Sequence, residues 1–153
     1  MARMLKQENT DRICEDRKYR MSIEFSKVLS YIGEHYSEKL TLPDLASLLG
    51  FSEGHFSKLF KKSTGLGFAK YLNYIRISNA IEMIKGGEQK MVDISSSCGF
   101  ESVRNFNRVF LNIAGCTPTE YAAGNKSANI SLISTYRSME SLQSYTTNNP
   151  TIA

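Results

Sequence analysis

The sequence predicts an all-α domain, and three observations support that prediction. Apolar residues between Met21 and Gly124 recur with helical spacing, and no stretch there alternates apolar and polar residues as a half-buried strand does. Most of these apolar runs are bounded by glycine or by the Ser, Thr and Pro residues that start helices. A set of apolar and glycine positions also occurs twice along the chain, at a nearly constant offset.

The first two helices are predicted by an apolar stripe and by a capping signal. The stripe, which predicts a helix ending near Tyr36, consists of Phe25, Val28, Leu29 and Ile32. Thr41 is suited to the N-cap of the next helix, Pro43 to its first turn, and Asp44 to its third position, where an acid is favourable. We therefore predict a short second helix through Leu49.

Five further helices follow in the sequence. Ser52 caps a third helix that extends to about Thr64, and the fourth, predicted to be the longest, covers residues 67–85. Residues 91–98 and 101–114 form the next two helices, each followed by a glycine. A capping box with a proline at the first helical position, Thr117-Pro118-Thr119-Glu120, starts the last.

Composition divides the 153 residues into three segments and excludes several classes of protein. The segments are a charged stub (1–20), the helical domain (21–124) and a polar tail (125–153). We expect the tail to be disordered. No stretch approaches the roughly 18 apolar residues of a membrane span and no secretion signal is present, so we expect a cytoplasmic protein. Three scattered cysteines predict reduced thiols, and a net charge of +4 mildly favours a polyanionic partner.

The repeat has the outline of two helix-turn-helix units. Its matching pairs, at offsets of 49 and then 50 residues, are Leu45 with Ile94, Gly50 with Gly99, Phe51 with Phe100, Phe56 with Phe106, Phe60 with Phe110, Gly65 with Gly115, and Tyr71 with Tyr121. One residue is added between Phe100 and Phe106. In such a unit the second helix enters the DNA major groove, and a linker helix spanning about 27 Å is not far below the ~34 Å of one duplex turn.

These residues resemble the C-terminal DNA-binding domain of AraC/XylS-type bacterial transcription regulators, over about 100 residues from Ile23 to Gly124. The first unit carries the resemblance in Leu45-Ala46, Gly50-Phe51-Ser52, Phe60-Lys61-Lys62, Gly65, Tyr71-Leu72 and Arg76. The second unit carries it in Ile94, Gly99-Phe100, Phe106, Phe110, Gly115, Pro118 and Tyr121. The resemblance implies seven helices, with two homeodomain-like helix-turn-helix subdomains joined by a long linker helix. It also implies sequence-specific binding to double-stranded promoter DNA, usually with activation through RNA polymerase.

On the first reading helix, the resemblance places base contacts at Gly54, Ser57 and Lys58. Because Gly54 has no side chain, His55 is assigned to base reading as well, although a surface imidazole explains it equally well. Lys61 and Lys62 are assigned to phosphate, whereas without the repeat they would be interpreted as a solvated helix end. Thr41, Ser52 and Ser102 complete the predicted phosphate contacts.

On the second reading helix, the residues assigned to base reading are Val103, Arg104, Asn107 and Arg108. Arg104 can bond guanine in a bidentate manner, Asn107 can contact adenine, and Val103 can contact a thymine methyl. Arg108 could instead pair with Glu101 or contact phosphate. Departures from the family pattern at Ser95, Leu111 and Ala122 predict that this unit binds more weakly or with more dependence on sequence.

Two other functions are compatible with parts of the sequence. Residues 50–54 match the G-x-S-x-G pattern of a serine hydrolase, but no predicted strand precedes Ser52 and only His55 follows it, so an N-cap explains Ser52 better. A protein-interaction module with little DNA affinity, binding RNA polymerase or another regulator, is the alternative that Gly54, Leu111 and Ala122 leave open. No catalytic residue, cofactor, metal site, membrane partner or small-molecule pocket is predicted.

Overall fold

The computed structural model describes residues 2–87 and 89–125, and within these ranges it contains seven α-helices and no strand. They are α1 (Ala2–Glu34), α2 (Leu42–Leu48), α3 (Glu53–Thr64), α4 (Phe68–Gly86), α5 (Met91–Ser97), α6 (Val103–Ala114) and α7 (Pro118–Ala122). The predicted all-α fold of two helix-turn-helix units and a linker helix is confirmed. Apart from Asn125, the predicted disordered tail lies outside the described residues.

Helix α1 is longer than its apolar stripe. It has 33 residues, so the charged stub is helical, and the expectation that the linker helix α4 is the longest was wrong. Residues 10–20 are exposed on every side of α1, and periodicity of buried residues therefore gives no sign of a helix there. Phe25, Val28, Leu29 and Ile32 are buried as predicted. No described helix, α1 included, combines the length and apolar character that crossing a bilayer requires.

Side-chain caps begin the helices at the predicted positions. The amides of Asp44 and His55 donate to the hydroxyls of Thr41 and Ser52, each over 3.3 Å. Thr117 and Glu120 form the predicted capping box, in which the Glu120 carboxylate accepts a hydrogen bond from the Thr117 amide at 2.8 Å. These caps satisfy amides that have no partner within their helix.

Two hydrophobic cores build the domain, and α4 contributes to both. The first core joins the C-terminal part of α1, α2 and α3 to Tyr71, Leu72 and Ile75 of α4. The second joins α5 and α6 to the remainder of α4, including Ile77 and Ile81. We call the helices around the first core the first unit and those around the second core the second unit. Helix α4 packs against α3 of the first unit and against α5, α6 and α7 of the second.

The two units follow the same backbone plan. Helices α2 and α5 have 7 residues each, and α3 and α6 have 12 residues each. The turn between the helices has a left-handed glycine in both units, Gly50 at φ 68° and Gly99 at φ 81°, a conformation that favours glycine. Ser52 and Ser102 cap α3 and α6 in the same way, so the residue added in the second unit is Glu101.

Candidate nucleic-acid interface

Helices α3 and α6 each bury one face and expose the other. On α3, Phe56 and Phe60 are fully buried, and on α6 Phe106 and Phe110 occupy the matching positions. The residues predicted to read bases are all exposed except Val103, which is half-buried; the exposed ones are Gly54, His55, Ser57, Lys58, Arg104, Asn107 and Arg108. The fold thus leaves a polar face on each reading helix accessible to a partner.

Three of the residues predicted to contact phosphate carry hydroxyl groups, and these differ in whether the hydroxyl proton is free to donate a hydrogen bond. The side chains of Ser52 and Ser102 accept the cap hydrogen bonds of α3 and α6, and an accepting hydroxyl retains its own proton for a second partner. Thr41 is half-buried and donates its proton to the carboxylate of Asp44. A contact of the Thr41 hydroxyl with phosphate would have to replace that hydrogen bond.

Lys61 and Lys62 lie in the last turn of α3, and both are exposed. The matching positions of α6 are Leu111 and Asn112, and Leu111 is 46% exposed. Helix α6 contains no acidic residue, whereas α3 has Glu53 in its first turn. Positive charge therefore lies at Lys58 and at the C-terminal end of α3, and in the first half of α6.

The structure places three of the candidate base-reading residues in different surroundings. The ring of His55 packs against Phe51, with 4.7 Å between the ring centroids, and the residue remains exposed. Arg108 donates from Nη2 to Asn105 Oδ1 at 2.8 Å and does not pair with Glu101. Arg104 is exposed and has no hydrogen-bond or ion-pair partner among the described residues, so its guanidinium is available for a ligand.

A cleft of about 400 Å³ separates the two units, and sequence reasoning did not find it. It is lined by Ser37, Leu40 and Leu72 of the first unit, by Gly99, Glu101 and Asn105 of the second, and by Arg76 between them. Burial lowers the pKa of Arg76, and Cys98 and Glu101 oppose that effect. Burial also raises the pKa of Cys98 to about 11, so this thiol is neutral at physiological pH.

Comparison with known proteins assigns the family. A family model described as "Helix-turn-helix domain" matches residues 45–124, more than half of the chain. A transcriptional regulator from Chromobacterium violaceum, described by its AraC-type DNA-binding domain, shares 26% identity and a TM-score of 0.61, over 69% of this chain and 94% of that one. The chain belongs to the AraC-type helix-turn-helix family, which comprises DNA-binding domains of transcription regulators and is not a class of enzymes.

Two further proteins show how far the similarity extends. An uncharacterized HTH-type transcriptional regulator from Staphylococcus aureus is 38% identical over 96 residues, which is 63% of this chain but only 13% of that protein. The DNA-binding domain of AdpA, a global transcriptional factor whose structure was determined with a target DNA, has a TM-score of 0.62 and 23% identity. That match covers 64% of this chain and 88% of the AdpA domain, and at this identity it shows the shared fold alone.

Proposed function

We propose that this chain regulates transcription by inserting α3 and α6 into successive major grooves of promoter DNA. The observation that carries the proposal is the matched pair of reading helices. Both helices have 12 residues, a serine cap, two buried phenylalanines and an exposed polar face, and they occur at a fixed offset in the sequence. Duplicated reading helices suit a duplex, whose major groove returns to the same side every helical turn.

The proposed base contacts lie on both reading helices, four residues on each. Arg104 reads guanine, because its guanidinium is exposed, has no partner in the described part of the chain, and can bond O6 and N7 together. Asn107, Val103 and Arg108 complete this face, with Arg108 held in place by Asn105. On α3 the proposed base-reading residues are Gly54, His55, Ser57 and Lys58.

The proposed backbone contacts are concentrated on α3. Lys61 and Lys62 neutralise phosphates beside the groove, where charge contributes affinity but no base information. Ser52 and Ser102 donate their free hydroxyl protons, and Thr41 contributes only by giving up its hydrogen bond to Asp44. Membership of the AraC-type helix-turn-helix family, which comprises DNA-binding domains, supports DNA as the partner. Activation through RNA polymerase is the part of the proposal that the family resemblance implies.

Selection of bound sites from a random duplex library, at low and at near-physiological salt, tests this function. We expect an asymmetric site with two reading segments about one helical turn apart. One short segment would restrict base reading to a single unit and contradict the two-groove arrangement. Binding that disappears at higher salt with no enriched site would contradict sequence-specific recognition and favour the protein-interaction module.

A further inference from the structure

The cleft between the units is crossed by one side chain of the linker helix. Arg76 donates from Nε to the carbonyl oxygen of Tyr36 at 2.8 Å and from Nη2 to that of Glu38 at 2.9 Å. Both carbonyls belong to the segment that follows α1, and this segment packs on the first core through Tyr36 and Leu40. Two hydrogen bonds from one planar guanidinium fix both the distance and the angle of that segment relative to α4.

The same guanidinium also contacts the second unit. Its Cζ atom lies 5.7 Å from the ring centroid of Phe100, within range of a cation–π contact, and Phe100 belongs to the second core. Glu101 lines the cleft with Arg76, and its charge favours the protonated guanidinium. The one residue that the second unit has gained relative to the first is therefore located beside this contact.

A second contact joins the units in the same cleft. A Cβ added at Gly99 would lie 2.6 Å from the carbonyl oxygen of Ser37 and 2.9 Å from its carbonyl carbon. Glycine at this position therefore has a packing role in addition to its left-handed φ of 81°. At Gly50, the matching position of the first unit, an added Cβ would meet nothing within 4 Å.

From these contacts we propose that Arg76 and Gly99 lock the two helix-turn-helix units in one relative orientation, and that this lock selects operators with a single spacing between their two reading segments. The inference rests on the proposed function. Arg76 acts as a positioning residue that touches no base. Helix α4 alone leaves open a cleft of about 400 Å³ across which the units could tilt, and the two contacts restrain that motion. Preorganised reading helices avoid the entropic penalty of aligning on DNA.

The orientation can be measured without DNA. Spin labels at Ser63→Cys and Asn112→Cys, both exposed positions outside the proposed interface, report the α3 to α6 distance in a Cys14→Ser background, since Cys98 and Cys116 are buried. We expect one narrow distance distribution for the native chain and a broad one for Arg76→Met. Arg76→Lys should narrow it in part, because the ammonium keeps the charge and can donate to a carbonyl but lacks the planar fork that fixes the angle. Equally narrow distributions in all three proteins would overturn the lock.

Gly50→Ala is the matched control for Gly99→Ala. Both substitutions place a side chain in left-handed backbone, at φ 68° and φ 81°, but only the second forces the Ser37 backbone to move. We expect a shifted or broadened distance distribution for Gly99→Ala and an unchanged one for Gly50→Ala. A change of the same size in both would mean that backbone strain, not contact between the units, is responsible, and would overturn the role of Gly99.

The consequence for DNA is measured by selection from duplexes in which the selected reading segments are separated by different numbers of base pairs. The native chain should enrich one spacing, whereas Arg76→Met and Gly99→Ala should enrich several and lose affinity for the native spacing by about tenfold. That loss is a part of the roughly 10²–10⁴ that linking two binding modules contributes. An unchanged spacing preference in both variants would overturn the inference alone. Failure of the native chain to enrich any site would overturn the proposed function and this extension of it, whereas the spin-label distances would still decide whether the lock exists.

Discussion

The two helix-turn-helix units of this chain share two buried phenylalanines each and differ in most of the exposed residues of their reading helices. Phe56 and Phe106 are both fully buried at matching positions, and both turns have a left-handed glycine. At the surface, α3 has Gly54 where α6 has Arg104, and Lys61 where α6 has Leu111. The matching buried residues give both units the same fold, while the exposed side chains of the two reading helices differ in charge and hydrogen-bonding groups. We therefore expect the first unit to supply most of the affinity and the second most of the base preference.

The largest effects should come from the positions at which the units agree. Phe56→Ala and Phe106→Ala each remove a fully buried ring, and each should lower the free energy of unfolding by about 3–5 kcal/mol, measured by urea denaturation. Because the cores are separate clusters, hydrogen exchange in native conditions should increase most in α2 and α3 for the first variant and in α5 and α6 for the second.

A surface control and a contrary outcome sharpen this test. Leu48 is 63% exposed, so Leu48→Ala should change the stability by less than about 0.5 kcal/mol. If either phenylalanine variant increased exchange equally in both units, the two cores would form one cooperative body, and the division at α4 would be wrong.

Smaller effects should separate the two reading faces. Arg104→Ala should weaken binding to the selected site by about 1–3 kcal/mol and relax the preference at one base pair, because the guanidinium reads a base edge. Lys61→Ala and Lys62→Ala should weaken binding to every sequence alike and reduce the salt dependence by about one ion each, because these lysines neutralise phosphate. Fluorescence anisotropy with selected and scrambled duplexes at several salt concentrations distinguishes these two results.

Leu111→Lys tests the same difference between the units in the opposite direction, by adding a lysine to α6. The variant gives α6 the lysine that α3 has at the matching position, and it should raise the salt dependence by about one ion without altering base preference. A change in base preference with Leu111→Lys, or an unchanged preference with Arg104→Ala, would contradict the division of roles between the units.

The sequence predicted these helices well because their signals are local. The caps at Thr41, Ser52 and Thr117 and the glycines after α3 and α6 fix the ends of helices within one turn of chain, and buried residues at helical spacing fix their faces. The helical stub of α1 carried no such signal, because every side chain at residues 10–20 faces solvent.

The contacts between the units could not be predicted in the same way. Arg76 bonds main-chain carbonyls about 40 residues away, and a carbonyl acceptor is present at every residue type, so nothing in the sequence marks the partner. The role of Gly99 was hidden for a related reason, since its left-handed φ already explains a glycine. Arg108 was assigned to a base, to phosphate or to Glu101. The structure pairs it with Asn105, three residues away on its own helix, and its contacts with DNA stay predictions.

The smallest expected effect distinguishes two glycines of the first unit. Gly54 lies inside α3 with nothing within 4 Å of an added Cβ, so Gly54→Ala should raise the free energy of unfolding by about 0.5 kcal/mol through its better helix propensity. Gly50 has equally open surroundings but a φ of 68°, so Gly50→Ala should lower it by about 1–2 kcal/mol. Thermal and urea unfolding followed by circular dichroism measure both.

Affinity for the selected duplex then shows what Gly54 does on the reading face. Suppose that Gly54 has no role beyond leaving the first unit without a reading side chain at this position. In that case Gly54→Ala should bind about as tightly as the native chain, because a methyl group adds no hydrogen-bonding atom. A large loss of affinity in a protein that has become more stable cannot come from the fold. It would show that the backbone of α3 approaches the bases at Gly54, and the first unit would then contribute to base reading through shape, while the second unit reads through the guanidinium of Arg104.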